Sequence, residues 1–162
     1  QLSADLASGR VADYNFIAPN QCHDMHGRFN PGVGDPCDYG SEPTIISTGD
    51  AFLGNLVNEI MSSKAWTGNS VIFITWDESE YTASPTDFGF GDTSGCCTAD
   101  PGGGHVVTIV ISHSDHASRV SDTAYNHYSI LSTIQAGWKL GCLGATCDSA
   151  VLPMTDLVGP KK

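Results

Sequence analysis

Basic side chains are scarce in this chain: seven Lys and Arg stand against 18 Asp and Glu, a formal charge of −11 over 162 residues. A surface of that sign repels nucleic-acid phosphates and anionic lipid headgroups, so neither is an expected partner. Long apolar runs are missing too. Nothing approaches the roughly 20 residues that cross a bilayer, and no apolar leader core precedes the first structured segment. A membrane span is therefore not expected. The chain also has no Asn-x-Ser/Thr sequon, no internal repeat and no low-complexity tract. None of its six cysteines stands in the C-x-x-C spacing of a zinc site, which leaves disulfides as the better reading. Cys22 and Cys37 flank a Gly/Pro-rich loop and Cys142 and Cys147 flank a four-residue stretch, so these two pairs are the expected bridges. The adjacent Cys96 and Cys97 stay unassigned. Such cysteine usage in an acidic chain points to an oxidising compartment, secreted or periplasmic.

What is present fits one domain, since a chain of this length buries roughly two-thirds of its unfolded surface. "QLSADLASGR" lacks an initiator Met and reads as the last turns of a helix, with Leu2, Leu6 and Ala7 on one face before Gly9. Alternation of Tyr14, Phe16 and Ala18 predicts a short strand at 14–18, followed by an irregular Gly/Pro-rich loop. From Thr48 the spacing of Phe52, Leu53, Leu56, Val57, Ile60 and Met61 predicts a helix to about Lys64, capped by Thr48 or Asp50. "VIFITW" is apolar enough for a strand buried on both faces, as in a parallel sheet. A second buried strand is expected at 105–112, and a helix is expected from Tyr128, Leu131, Ile134 and Trp138. The order of these elements argues for an α/β layered sheet. The tail, residues 153–162, reads as loose.

Chemistry concentrates in two places. Asp77 and Glu78 follow directly on "VIFITW", at the strand end where α/β sheets bind ligands. Two neighbouring carboxylates repel, and a divalent cation would keep both ionised; the alternative is the start of a solvated loop. The second place is "CHDMHG", with His23, Asp24 and His26. These side chains can bind a metal, contact an anion's oxygens or protonate a leaving group. They can equally form a turn stabilised by Asp24 and a disulfide at Cys22. "DPGGGH", residues 100–105, leads into a strand rather than a helix, which argues against a phosphate-cradling loop and for an entry beside the active face. His113 and His116 read as solvated, and His127 as a cap or core contact at a helix start.

Five blocks in order, "FIAPNQCHDMHG", "GDAFLGNLVNEIMSSKAW", "VIFITWDESE", "GGGHVVTIVIS" and "YNHYSILSTIQ", resemble the C-terminal half of the phosphoesterase family of acid phosphatases and phosphatidylcholine-type phospholipases C. The resemblance covers about residues 3–140. It implies an alkaline-phosphatase-like layered α/β sheet with flanking helices, here as a partial domain comprising residues 1–162. It also implies hydrolysis of phosphate esters by a Ser or Thr nucleophile beside a divalent metal ion. Residue by residue, it makes Asp77 and Glu78 metal ligands and gives His23 or His26 a phosphate-contacting or leaving-group role. Asp50 then reads as a structural cap, and His127 as an anchor of its helix start near the site. His105 departs from the family pattern.

In the family the nucleophile and a metal-binding Glu-Asn pair lie in an N-terminal half that has no counterpart in residues 1–162. Thr48 and Ser79 lie near the right elements but outside the nucleophile's context. The implied partners are therefore a phosphate-ester substrate together with a missing N-terminal half, a separate chain, or further copies of this one at open sheet edges. The competing expectation is a catalytically inactive phosphoesterase-like module used for extracellular binding or self-assembly.

Overall fold

A computed structural model describes residues 1–29, 32, 34–38, 40–79, 81–84, 87–90, 104–115 and 118–159, with backbone alone at 81–84 and 87–90. Cys96, Cys97 and His116 lie outside the described residues, as does most of the triple-glycine stretch. The chain gathers into two compact units, residues 1–67 and 68–162. Helices and small antiparallel strand pairs make up a partial α/β domain.

The first unit carries two helices. α1, Leu2–Ser8, ends where Gly9 takes the left-handed conformation at φ 68°, and it buries Leu6. α2, Glu42–Met61, begins six residues earlier than the apolar spacing implied. Pro43 in the first turn has the φ a helix needs, and Glu42 places its negative charge at the positive end of the helix. Neither Thr48 nor Asp50 caps anything: both lie inside α2, where the Thr48 hydroxyl donates to the Thr44 carbonyl at 2.8 Å. The strand expected at 14–18 does not form, and Tyr14, Phe16 and Ile17 are exposed. Alternation yields a strand only where another strand pairs with it, and none of the described residues does so.

The second unit is built on β1, Val71–Thr75, and β4, Thr108–Ser112. They pair antiparallel, Val71 opposite Ser112 and Thr75 opposite Thr108, rather than standing in a parallel sheet. All of β1 is half-buried and only Ser112 of β4 is fully buried, because among the described residues no further strand flanks this pair. Between them in the chain, β2, Tyr81–Ser84, and β3, Asp87–Phe90, form a separate antiparallel hairpin. α3, His127–Trp138, is started by a capping box in which the Asn126 side chain accepts from the Ser129 amide.

The tail proves packed rather than loose through residue 159. Met154 is buried and its amide donates to Thr133 Oγ1 at 2.8 Å. α4, Thr155–Val158, is tied to β4 by the Ser112 hydroxyl, which donates to the Val158 carbonyl at 2.9 Å. Both expected disulfides, Cys22–Cys37 and Cys142–Cys147, are present.

Candidate functional site

In the first unit the His23–His26 loop is wound tightly by its own polar groups. Asn20 Oδ1 accepts from the amides of Cys22 and His23, both at 3.1 Å, and Asp24 Oδ1 accepts from the His26 amide at 2.8 Å. The Gly27 amide reaches back to the Gln21 carbonyl at 2.7 Å. Such closure forces a left-handed turn at Met25, φ 71°, a conformation that costs a side-chain-bearing residue free energy and that clusters at functional sites. The Cys22–Cys37 bridge and the Arg28 amide, which donates to the Cys37 carbonyl at 2.7 Å, hold the loop's two ends.

The loop rests directly on α2. A Cβ added at Gly49 would overlap the Met25 side chain and stand 3.1 Å from the His23 carbonyl oxygen, so glycine is what permits this approach. One turn further on, Phe52 stacks on the His23 ring with centroids 4.3 Å apart and planes 10° apart. His23 is thereby oriented and half-buried, whereas His26 is exposed. A pocket of about 550 Å³ beside α1, lined among others by Leu6, Asn58, Glu59 and Lys64, contains none of the candidate residues.

In the second unit Asp77 is exposed and Glu78 half-buried, immediately after β1 and Trp76. The end of β1 is held by Thr75, whose Oγ1 lies 2.9 Å from Thr108 Oγ1 and donates to the Val107 carbonyl at 3.1 Å. Nε2 of His127 lies 2.7 Å from the Trp76 carbonyl oxygen. Among the described residues, no group of three or more His, Cys, Asp or Glu side chains converges as a metal cage. The donor chemistry still fits a small hard cation, because such ions commonly take one or two carboxylates and complete their shell with water and substrate phosphate. His23 and His26 thus share one loop, while Asp77 and Glu78 share one strand end in the other unit.

Two features escaped the sequence reading. His113, expected in solvent, is half-buried with Nδ1 3.1 Å from the Gly68 carbonyl. A polar clamp also joins α4 to the segment before α3: Asp156 accepts from the Ser121 hydroxyl at 2.6 Å and from the Tyr125 hydroxyl at 2.5 Å. Those two hydroxyls, Ser121 first, hold the Asp156 carboxyl below its ordinary value. Burial, and then the bond to Asp156 and its charge, push the Tyr125 phenol up. Arg119 completes the clamp, donating to the Asp156 carbonyl at 3.2 Å and pairing with Asp115. Its members lie 35 residues apart in sequence, between Ser121 and Asp156, so no local motif announces it.

The helices and antiparallel strand pairs are those of a partial α/β domain. The family model described as "Phosphoesterase family" matches residues 1–141, and the chain belongs to that family. No curated protein and no solved structure matches it.

Proposed function

We propose that residues 1–162 supply part of the active site of a metal-dependent phosphoesterase, of acid phosphatase or phospholipase C type, working in a secreted or periplasmic setting. The observation that carries this reading is the family match over residues 1–141, which takes in both the His23–His26 loop and the Asp77-Glu78 strand end. Charge argues for the cation. A phosphate ester approaching a chain of net charge −11 is repelled unless positive charge intervenes.

Asp77 and Glu78 are the residues that would hold a hard divalent ion. When bound, that ion would offset charge on the phosphoryl oxygens and lower the pKa of the attacking hydroxyl. The nucleophile, a Ser or Thr hydroxyl in this reading, comes from outside residues 1–162; its oxygen bonds to phosphorus as the bond to the leaving alcohol breaks. His26, exposed and held by the Asp24 turn, gives its proton to the leaving oxygen and later takes one from the water that releases the phosphoryl group. His23, fixed against Phe52, holds the loop and offers a ring nitrogen to a phosphate oxygen.

The test is Asp77→Ala in the intact protein that contains this chain. Hydrolysis of p-nitrophenyl phosphate is expected to fall at least about 100-fold, a loss of about 2.7 kcal/mol of transition-state stabilisation, with the circular dichroism spectrum unchanged. Turnover equal to that of the unaltered protein would remove Asp77 from the site.

A second reading, a phosphoesterase-like module that binds or self-assembles without catalysis, is favoured by one observation on α3. Tyr128, Leu131 and Trp138 fall on one side of the helix and are 43%, 37% and 48% exposed, with the buried Gln135 among them and the buried Ser129 and Thr133 on the other side. Apolar side chains exposed together on one side of a helix favour docking onto another surface.

A further inference from the structure

The carbonyl oxygen of Trp76 belongs to the peptide unit that leads into Asp77. His127 Nε2 approaches it to 2.7 Å from 51 residues further along the chain. A carbonyl oxygen only accepts, so in this bond Nε2 carries the hydrogen. His127 is the first residue of α3, and its place is set from behind. Asn126 Oδ1 accepts from the Ser129 amide at 3.2 Å, and the Ser129 side chain, 1% exposed, is 3.4 Å from the Asn126 amide. Tyr125, one residue earlier, is fastened to Asp156. On the other side of the peptide, Thr75 is fastened to β4 through Val107 and Thr108.

We infer that His127 is a positioning residue for the acidic strand end: its Nε2–H bond to Trp76 O fixes the peptide plane from which Asp77 projects and Glu78 follows. Because a peptide unit is planar, holding its oxygen also sets the direction of the Asp77 amide and Cα. α3 and the end of β1 then move as one piece. The functional side of this inference rests on the reading of Asp77 and Glu78 as ligands.

The experiment uses the intact protein that contains this chain, unaltered and as His127→Ala and His127→Gln, with two readouts: amide hydrogen exchange at residues 76–79 and the affinity for Mn²⁺ alone. His127→Ala is expected to speed exchange at Asp77 and Glu78 and to weaken Mn²⁺ binding by about 10-fold or more, the usual effect of losing a residue that orients a ligand. His127→Gln retains an N–H donor and is expected to recover most of both; a purely steric role would give no such recovery. Unchanged exchange in His127→Ala overturns the positioning role. Faster exchange with unchanged Mn²⁺ affinity overturns its link to ligation. If the unaltered intact protein binds no Mn²⁺, the ligand reading fails, and exchange alone still decides whether His127 positions the strand end.

Discussion

Gly49 shows how one side chain's absence shapes the candidate site. Ala at a helix interior is ordinarily worth about 1 kcal/mol over Gly. Here the added Cβ would overlap Met25 and crowd the His23 carbonyl, and overpacking of this kind costs about 1–3 kcal/mol. Gly49→Ala is therefore expected to destabilise the protein by about 1 kcal/mol in urea unfolding, and a gain in stability would show that the loop does not sit on α2. His26 invites a kinetic test at the same scale. If it protonates the leaving oxygen, His26→Gln in the intact protein should cost about 10²–10⁴-fold on alkyl phosphates and far less on p-nitrophenyl phosphate, whose leaving group needs little help. An equal loss on both substrates would assign His26 to binding instead. His23 and Asp77 stand out as candidates from their neighbours in sequence alone. The stacking of His23 on Phe52 does not, because the loop and the helix lie 29 residues apart and only their packing brings them together.

Among the elements, those whose signals are local matched their expectation, and those that depend on partners did not. α1 and α3 carry their own punctuation, Gly9 in one case and the Asn126-Ser129 box in the other. The run at 14–18 and the double-sided burial of β1 both presuppose neighbouring strands, and the pairing direction of β1 with β4 is set by topology that apolar patterning does not encode. The tail was misread because its anchors, Ser112, Ser121 and Tyr125, lie at a distance in sequence. That clamp has a pH signature. Asp156 is held below its ordinary value, so its stabilising contribution is complete above about pH 4 and is lost only as pH falls below that range. Tyr125 is raised, so its contribution is complete below about pH 10 and is lost at higher pH. Asp156→Asn should accordingly lower stability by about 0.5–1 kcal/mol at pH 7, small because the site is largely solvated, and the difference should shrink below about pH 3. A difference that persists at pH 2 would mean the clamp does not act through the carboxylate.

For the whole molecule, buried apolar side chains are few among the described residues: Leu6, Cys37, Ile45, Val151 and Met154 are buried, while Tyr128, Leu131, Trp138 and several others are exposed. A core this sparse among the described residues places more of the burden on the Cys22–Cys37 and Cys142–Cys147 bridges. The Cys22–Cys37 bridge spans 15 residues and Cys142–Cys147 spans 5, so by loop-closure entropy their removal should cost about 3 and about 2 kcal/mol respectively. Denaturant unfolding of the paired Cys→Ala variants checks the order, and a larger loss from the short loop would contradict it. The same exposed faces make chain composition and function one question, since a phosphoesterase site completed from outside residues 1–162 and a self-assembling module both cover apolar surface.

Native mass spectrometry of the purified protein, unaltered and as Asp77→Ala, reads bound divalent metal and chain composition together. The account expects a stoichiometric divalent ion in the unaltered protein, lost in Asp77→Ala while the chain composition stays the same. Equal metal content in both proteins, or copies of this chain alone with no metal, would contradict it.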